Sequence, residues 1–216
     1  AIIGSGSWAT ALAKIVMHNA QEINWHIRKQ ETIDEFIEIR RNPNHLEWAY
    51  FDVSRIHFSA DINTVIEESD LLVLAVPSPY LKQSLNDITV DMSNKMVISA
   101  VKGMIPDENL LVTEYMHNHF NIPVENLGVI TGPCHAEEIA LERLSYLTVG
   151  CKDMNKAIEW SKLFNTPYVR TTPSNDVDGL EYASVMKNIY AIAMGMCKSL
   201  HYGDNFLAVL LTNAMH

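Results

Sequence analysis

Residues 4–9 read Gly4-Ser5-Gly6-Ser7-Trp8-Ala9, and the reading of this stretch decides the fold. Its spacing is G-x-G-x-x-G/A, with apolar Ile2-Ile3 before it and Ala9-Thr10-Ala11-Leu12-Ala13 after it, so a strand turns directly into a helix. Gly4 permits the tight turn, Gly6 lets the backbone approach a pyrophosphate, and the small side chain of Ala9 lets the helix pack closely on the strand. The free N–H groups and the positive end of the helix then hold the phosphates. Residues Gly4, Ser5, Gly6, Ser7, Trp8 and Ala9 are therefore expected to cradle a dinucleotide, NAD(H) or NADP(H).

Outward from the turn, short β-branched runs alternate with helical patterns, as βαβ units do in sequence. Strands are expected at Ile23–Ile27, Leu71–Val76, Met96–Val101, Leu127–Thr131 and Leu147–Cys151, besides the one before Gly4. Residues 71–76 are apolar at every position, which suits a central strand covered on both faces. Helical patterns lie at Trp8–Asn19, Glu31–Arg41, Ile62–Glu68, Tyr80–Leu85, Glu108–His119 and Asn155–Phe164. The alternation ends near Pro173, after which Asp176–Leu200 reads as one long helix and Asp204 onward as another. The expected fold class is α/β, a doubly wound Rossmann-type parallel sheet followed by the start of an all-helical domain. Residues 1–173 form the dinucleotide-binding part and 174–216 the beginning of a helical substrate and catalytic part.

An acidic residue about 20 positions beyond the turn holds the ribose 2′-hydroxyl of NAD, whereas a cation there suits the 2′-phosphate of NADP. This chain has Arg28 and Lys29 after Ile27, with Glu22 too early and Glu31 too late. NADP(H) is favoured and NAD(H) remains open. The competing reading is two solvated surface cations.

The 216 residues are 48% hydrophobic and 19% charged, an ordinary folded composition. No apolar run reaches the length of about 18 needed to cross a bilayer, so no stable membrane anchor is expected and the cytoplasm is the expected compartment. A formal charge of -10 argues against a nucleic-acid surface but leaves room for a small phosphorylated substrate held by a few local cations. Cys134, Cys151 and Cys197 are far apart and the nine histidines show no ligand spacing, so reduced thiols and no metal are expected. Only Ala1-Ile2-Ile3 precede the turn, and the chain stops soon after apolar Phe206–Leu211, so a fragment of a longer protein is expected. A homodimer is left open.

A nicotinamide performs hydride transfer itself, and the protein must supply orientation, charge and one proton. Lys187 is the leading proton donor. Between Tyr182 and Cys197 the helix is otherwise uncharged, and a helix apolar all round is expected to be buried, which would lower the ammonium's pKa toward neutrality. Asn188 beside it can donate a hydrogen bond without adding charge. The bland alternative is a lysine that snorkels to solvent.

Lys102 follows an expected strand and precedes Gly103, which places it at a strand's carboxyl end, where open α/β sheets bind ligands. It could hold a substrate phosphate or the reacting oxygen, and its charge would depress the pKa of a nearby Lys187. Gly132-Pro133-Cys134-His135-Ala136-Glu137-Glu138 is again a strand end turning into a helix, with Cys134 more readily a small cap beside substrate than a nucleophile. Val76-Pro77-Ser78-Pro79 is either a cofactor-lining turn or a plain helix entry. The tryptophans Trp25, Trp48 and Trp160 are expected to pack.

Together, Gly-Ser-Gly-Ser-Trp-Ala-Thr-Ala-Leu-Ala, Val-Pro-Ser, Val-Lys-Gly, Gly-Pro-Cys-His-Ala-Glu-Glu and Met-Lys-Asn-Ile-Tyr-Ala-Ile-Ala resemble the bacterial type of NAD(P)-dependent glycerol-3-phosphate dehydrogenase. The motifs keep the family's order from end to end of the chain. The resemblance implies reversible reduction of dihydroxyacetone phosphate to sn-glycerol 3-phosphate, which supplies glycerophospholipid synthesis. By position it implies cofactor contacts at Ser7, Trp8, Arg28, Lys29, Lys102 and Ala136, substrate contacts at Lys102, Gly132 and Cys134, and the catalytic proton donor and acceptor at Lys187.

Three positions depart from the family's pattern. Ala9 replaces the usual glycine, Cys134 stands where serine or threonine is common, and His45 occupies a cofactor-lining place often held by tyrosine. An aspartate and an Arg-Asn pair, which the family places further on, lie outside this sequence, so the chain alone is expected to bind cofactor and turn over poorly. A 3-hydroxyacid or sugar-acid dehydrogenase of similar plan is the nearest rival, and a non-catalytic NADP(H)-binding module is the rival of another class. The Lys187-Asn188 adjacency and the Gly-Pro-Cys-His-Ala run argue against the first.

Overall fold

A computed structural model describes residues 1–213. Its strands are Ile2–Ile3 (β1), Ile23–His26 (β2), Ile56–Ser59 (β3), Leu71–Leu74 (β4), Met96–Ser99 (β5), Leu127–Thr131 (β6), Ser145–Cys151 (β7) and Val169–Ser174 (β8). They form one sheet in the order β3-β2-β1-β4-β5-β6-β7-β8. The chain starts in the middle, winds outward to β3, then crosses back over β1 to β4 and onward. That reversal between β1 and β4 is where a doubly wound sheet opens a ligand crevice.

Register explains why β1 and β4 read as apolar throughout. Ile2 faces Trp25 and Val73 across its two neighbours, and successive residues point to opposite faces. Ile2, Val73 and Ile98 join the core under Ser7–Asn19 (α1) and Met154–Phe164 (α7), while Ile3, Leu72, Leu74 and Val97 join the core under Ile62–Glu67 (α3), Ser78–Leu85 (α4) and Val112–Phe120 (α5). Both faces are covered, so a polar side chain has no place on these strands.

The remaining helices are Gln30–Ile39 (α2), Ala136–Ala140 (α6), Val177–Ser199 (α8) and Asp204–Asn213 (α9). Among the described residues no helix is long and apolar enough to cross a membrane. No group of three or more His, Cys, Asp or Glu among them is arranged to hold a metal.

Several expectations need correction. β3 and β8 had no place in the sequence reading, because they are edge strands of mixed polarity. β8 even contains Pro173, which an edge tolerates because one side of its backbone needs no partner. The sheet is not wholly parallel: β7 runs antiparallel to β6, pairing Thr131 with Thr148 and Gly128 with Cys151. The short return through α6 permits that reversal without a crossover. The helix expected from Glu108 begins only at Val112, because Asp107 and Asn109 both take positive φ and Ile105 bridges back to Leu110.

The largest correction concerns α8. Expected to be buried all round, it buries only Val177, Glu181 and Ser184, and its Ile189, Ile192 and Met196 are exposed, as is Lys187. An apolar composition records what a helix can bury. It does not say which partner is present to cover it.

Candidate active site

Above the switch between β1 and β4 lies a groove in two lobes, of about 620 and 370 Å³. Gly6, Ala75, Val76 and Pro77 line both lobes and make them continuous. The larger lobe adds Gly4, Ser5, His26, Arg28, His45, Asp61, Tyr80 and Asp87. Ser7, Trp8, Lys102, Cys134, His135 and Ala136 line the smaller one.

The turn at the groove's centre is held from below. Gly4 sits at φ 122°, and a Cβ there would lie 2.6 Å from the carbonyl oxygen of Ala75, so β1 and β4 approach too closely for any side chain. At Gly6 nothing lies within 4 Å of a Cβ position. The protein itself does not require that glycine, so the open space suits a ligand pressed against the backbone. Gly6 also caps α1 without a side-chain bond, and the first turn carries no acidic residue, which leaves its N–H groups and positive end available to phosphate. The residues present fit a dinucleotide.

Two residues outside the motif brace this turn. The Trp25 indole donates to the Gly4 carbonyl at 2.7 Å, besides packing against Phe36, Phe51 and Phe58. Asn42 is 1% exposed, and its amide donates to the Ser5 carbonyl and to Thr10 Oγ1, which in turn donates to the Gly6 carbonyl. Sequence reading missed Asn42 because it comes from a loop more than 30 residues away. Asn42→Ala is expected to lower unfolding free energy by about 2 kcal/mol through the buried acceptors it leaves unpaired, measurable by urea titration. An unchanged midpoint would deny it the bracing role.

The expected site residues divide as follows. Arg28 is exposed and lines the larger lobe, whereas Lys29 caps the start of α2 and is not among the lining residues. His45 lines the same lobe with Nδ1 3.2 Å from Ser7 Oγ. His26, Asp61, Tyr80 and Asp87 were missed. Asp61 follows β3, the strand that was not foreseen, and its carboxylate accepts from Asn63 and Thr64 to cap α3. Burial lowers the His26 imidazole below its ordinary pKa, opposed by a hydrogen bond to the Ala60 backbone.

In the smaller lobe, the Lys102 ammonium lies 4.8 Å from the centre of the Trp8 ring, a cation–π contact. Its pKa is lowered first by burial and then by the charge of Lys187, with Cys134 opposing. Lys187 stands exposed on α8 and is not among the residues lining either lobe. The burial expected of Lys187 is absent, and the half-buried cation is Lys102. Asn188 is exposed beside Lys187. The Trp8 Nε1 is buried with no partner among the described residues.

Cys134 is 3% exposed and its thiol donates to the Tyr146 carbonyl at 3.0 Å, a packing role at the rim of the lobe. Gly132 is pressed against the backbone of Tyr146 and Leu147 where β6 leaves the sheet. Ala136 opens α6, and Pro77 precedes α4.

Residues 1–157 match the family model for the N-terminus of NAD-dependent glycerol-3-phosphate dehydrogenase, and 176–216 match that for its C-terminus. A glycerol-3-phosphate dehydrogenase [NAD(P)+] of Exiguobacterium sp. is 30% identical, with 100% of this chain and 63% of the relative covered. Its counterpart in Oceanobacillus iheyensis is 32% identical over 100% of this chain and 62% of the relative. The solved structure of Plasmodium falciparum glycerol-3-phosphate dehydrogenase superposes with a TM-score of 0.88 at 29% identity, covering 99% of this chain and 62% of that one. The chain thus spans just under two thirds of the length of these relatives. The chain belongs to the NAD-dependent glycerol-3-phosphate dehydrogenase family.

Proposed function

We propose that the protein reduces dihydroxyacetone phosphate to sn-glycerol 3-phosphate, reversibly, in the cytoplasm, as a supply for glycerophospholipid synthesis. Residues 1–173 hold the coenzyme and residues from 174 onward begin the substrate part. What supports the reading is Lys102, which lines the smaller lobe half-buried against Trp8, together with the Lys187 charge that helps to lower the Lys102 pKa. A phosphorylated ketone offers an anion for one cation and a basic oxygen for the other.

Bound nicotinamide supplies the hydride in reduction and takes it back in oxidation. The chain's own residues do the rest. Lys187 Nζ donates a proton to the ketone oxygen as negative charge develops there, and recovers one from solvent, to which it is open. Lys102 holds the phosphate or the same oxygen electrostatically, and Asn188 donates a hydrogen bond to substrate. Gly132 and Cys134 shape the rim. Gly4 through Ala9, His45, Pro77 and Ala136 position the coenzyme, with Lys102 between coenzyme and substrate. The decisive assay follows NADPH and NADH oxidation with dihydroxyacetone phosphate by the full-length parent protein, and no oxidation of either would remove the reading.

NADP(H) is the favoured coenzyme, because Arg28 lines the larger lobe beyond β2. A charge-assisted bond to the 2′-phosphate contributes about 1.5–3 kcal/mol, so Arg28→Asp is expected to reduce the NADPH/NADH preference by about 10- to 100-fold. Because Arg28 is exposed, the effect should shrink at high salt. An unchanged ratio of kcat/KM values would remove Arg28, leaving Lys29 as the cation to test.

A further inference from the structure

Helix α8 carries Lys187 and Asn188, yet its outer face is largely exposed, so something must set how it is turned. Its buried residues are Val177, Glu181 and Ser184, spaced four and three apart along one side. The next position on that stripe is Asn188, with Lys187 beside it. Two of the three buried residues are polar, and each is tied to a different element. The Ser184 hydroxyl lies 2.7 Å from Thr131 Oγ1, at the last residue of β6. The Glu181 carboxylate, 6% exposed, accepts from the Thr113 hydroxyl and from the Thr113 N–H at 3.4 Å, in the first turn of α5.

Apolar contacts let a helix slide or roll by fractions of an ångström, because dispersion is non-directional. Buried hydrogen bonds do not, since their length and angle are narrow and their loss leaves an unpaired polar group. A carboxylate is a costly choice for mere packing, and burial pushes this one up to about 7, with Glu114 adding to the rise and the Thr113 bonds opposing it. Its oxygens meet the unpaired N–H groups of a helix start, the place where a buried anion is best received.

We propose that Glu181 is a positioning residue: its bonds to Thr113 fix the roll and height of α8 and so aim Lys187 and Asn188 at the Lys102 end of the groove. This rests on reading Lys187 as the proton donor. Glu181 is not among the residues lining either lobe of the groove.

The test compares Glu181→Ala, Glu181→Gln and Thr113→Val in the full chain, by turnover with dihydroxyacetone phosphate, by coenzyme Kd, and by amide exchange over residues 183–190. Misplacing a reacting group by about 1 Å can cost about 100-fold, so Glu181→Ala and Thr113→Val should lower kcat about 30- to 100-fold with coenzyme Kd within about twofold. Glu181→Gln, which still accepts from the Thr113 hydroxyl, should stay within about fivefold of the parent kcat. Exchange over 183–190 should quicken in the first two variants and not in the third. A second readout needs no turnover: the pH at which Lys102 becomes half-acetylated should rise in Glu181→Ala, as Lys187 moves away from it.

Retention of kcat in Glu181→Ala, or coenzyme affinity lost in step with kcat, would overturn the proposal. Should Glu181→Ala not fold, Thr113→Val and Glu181→Gln decide it by the same measures. A parent protein inactive on dihydroxyacetone phosphate would sink the functional reading instead. Exchange and acetylation would still judge Glu181, and no change in either would overturn its role.

Discussion

Lys187→Ala is expected to lower kcat by about 10³-fold and leave coenzyme Kd within about twofold, because a positioned general acid contributes about 10² to 10⁴ and Lys187 does not line the lobes around the glycine turn. The side chain is exposed, so its removal leaves no buried cavity, and the melting temperature should not move. Stopped-flow oxidation of NADPH under single-turnover conditions, beside a fluorescence titration of the coenzyme, separates chemistry from binding. The pH profile carries further information. Lys102 keeps a lowered pKa because burial and the Lys187 charge both disfavour its ammonium form, so removing Lys187 should shift the Lys102 titration upward. A variant that kept kcat would exclude Lys187 as the proton donor and leave Lys102 as the candidate.

The second large effect belongs to Gly6. Gly6→Val should raise coenzyme Kd by about 100-fold or more, since a side chain would occupy the space where the pyrophosphate meets the backbone, costing about 3 kcal/mol of lost charge-assisted bonds. Stability should fall by about 1 kcal/mol at most, the cost of replacing a glycine N-cap, because nothing lies within 4 Å of the added Cβ. Neighbouring Gly4 makes the contrast, since there φ 122° and the Ala75 carbonyl at 2.6 Å make even alanine a burden on the fold. Isothermal titration with NADPH and NADH, paired with urea unfolding, checks both halves of the statement. A Gly6→Val protein that bound either coenzyme normally would move the pyrophosphate away from α1.

Legibility differed between parts of the molecule for reasons that can be named. The glycine turn is a short fixed motif, the central strand is a continuous apolar run and the helices beside it repeat at spacings of three to four, so a short window suffices to place them. The carboxyl ends of β5 and β6 followed at once, and with them Lys102 and Cys134. β3 escaped because Ile-His-Phe-Ser alternates over only four residues, and with it went Asp61 in the lining of the larger lobe.

The sequence by itself thus determined the dinucleotide turn, the doubly wound order of its central strands and the residue types gathered at their carboxyl ends. These depend on local pattern and on the few ways in which parallel strands can connect. Only the tertiary structure decided the rest. It made the two lobes one groove, bound the turn with Trp25 and Asn42, and set Lys102 over the Trp8 ring. It also left α8 exposed, held by Glu181 and Ser184. Each of these joins residues far apart in the chain, and burial or a hydrogen bond is a property of the partner as much as of the residue.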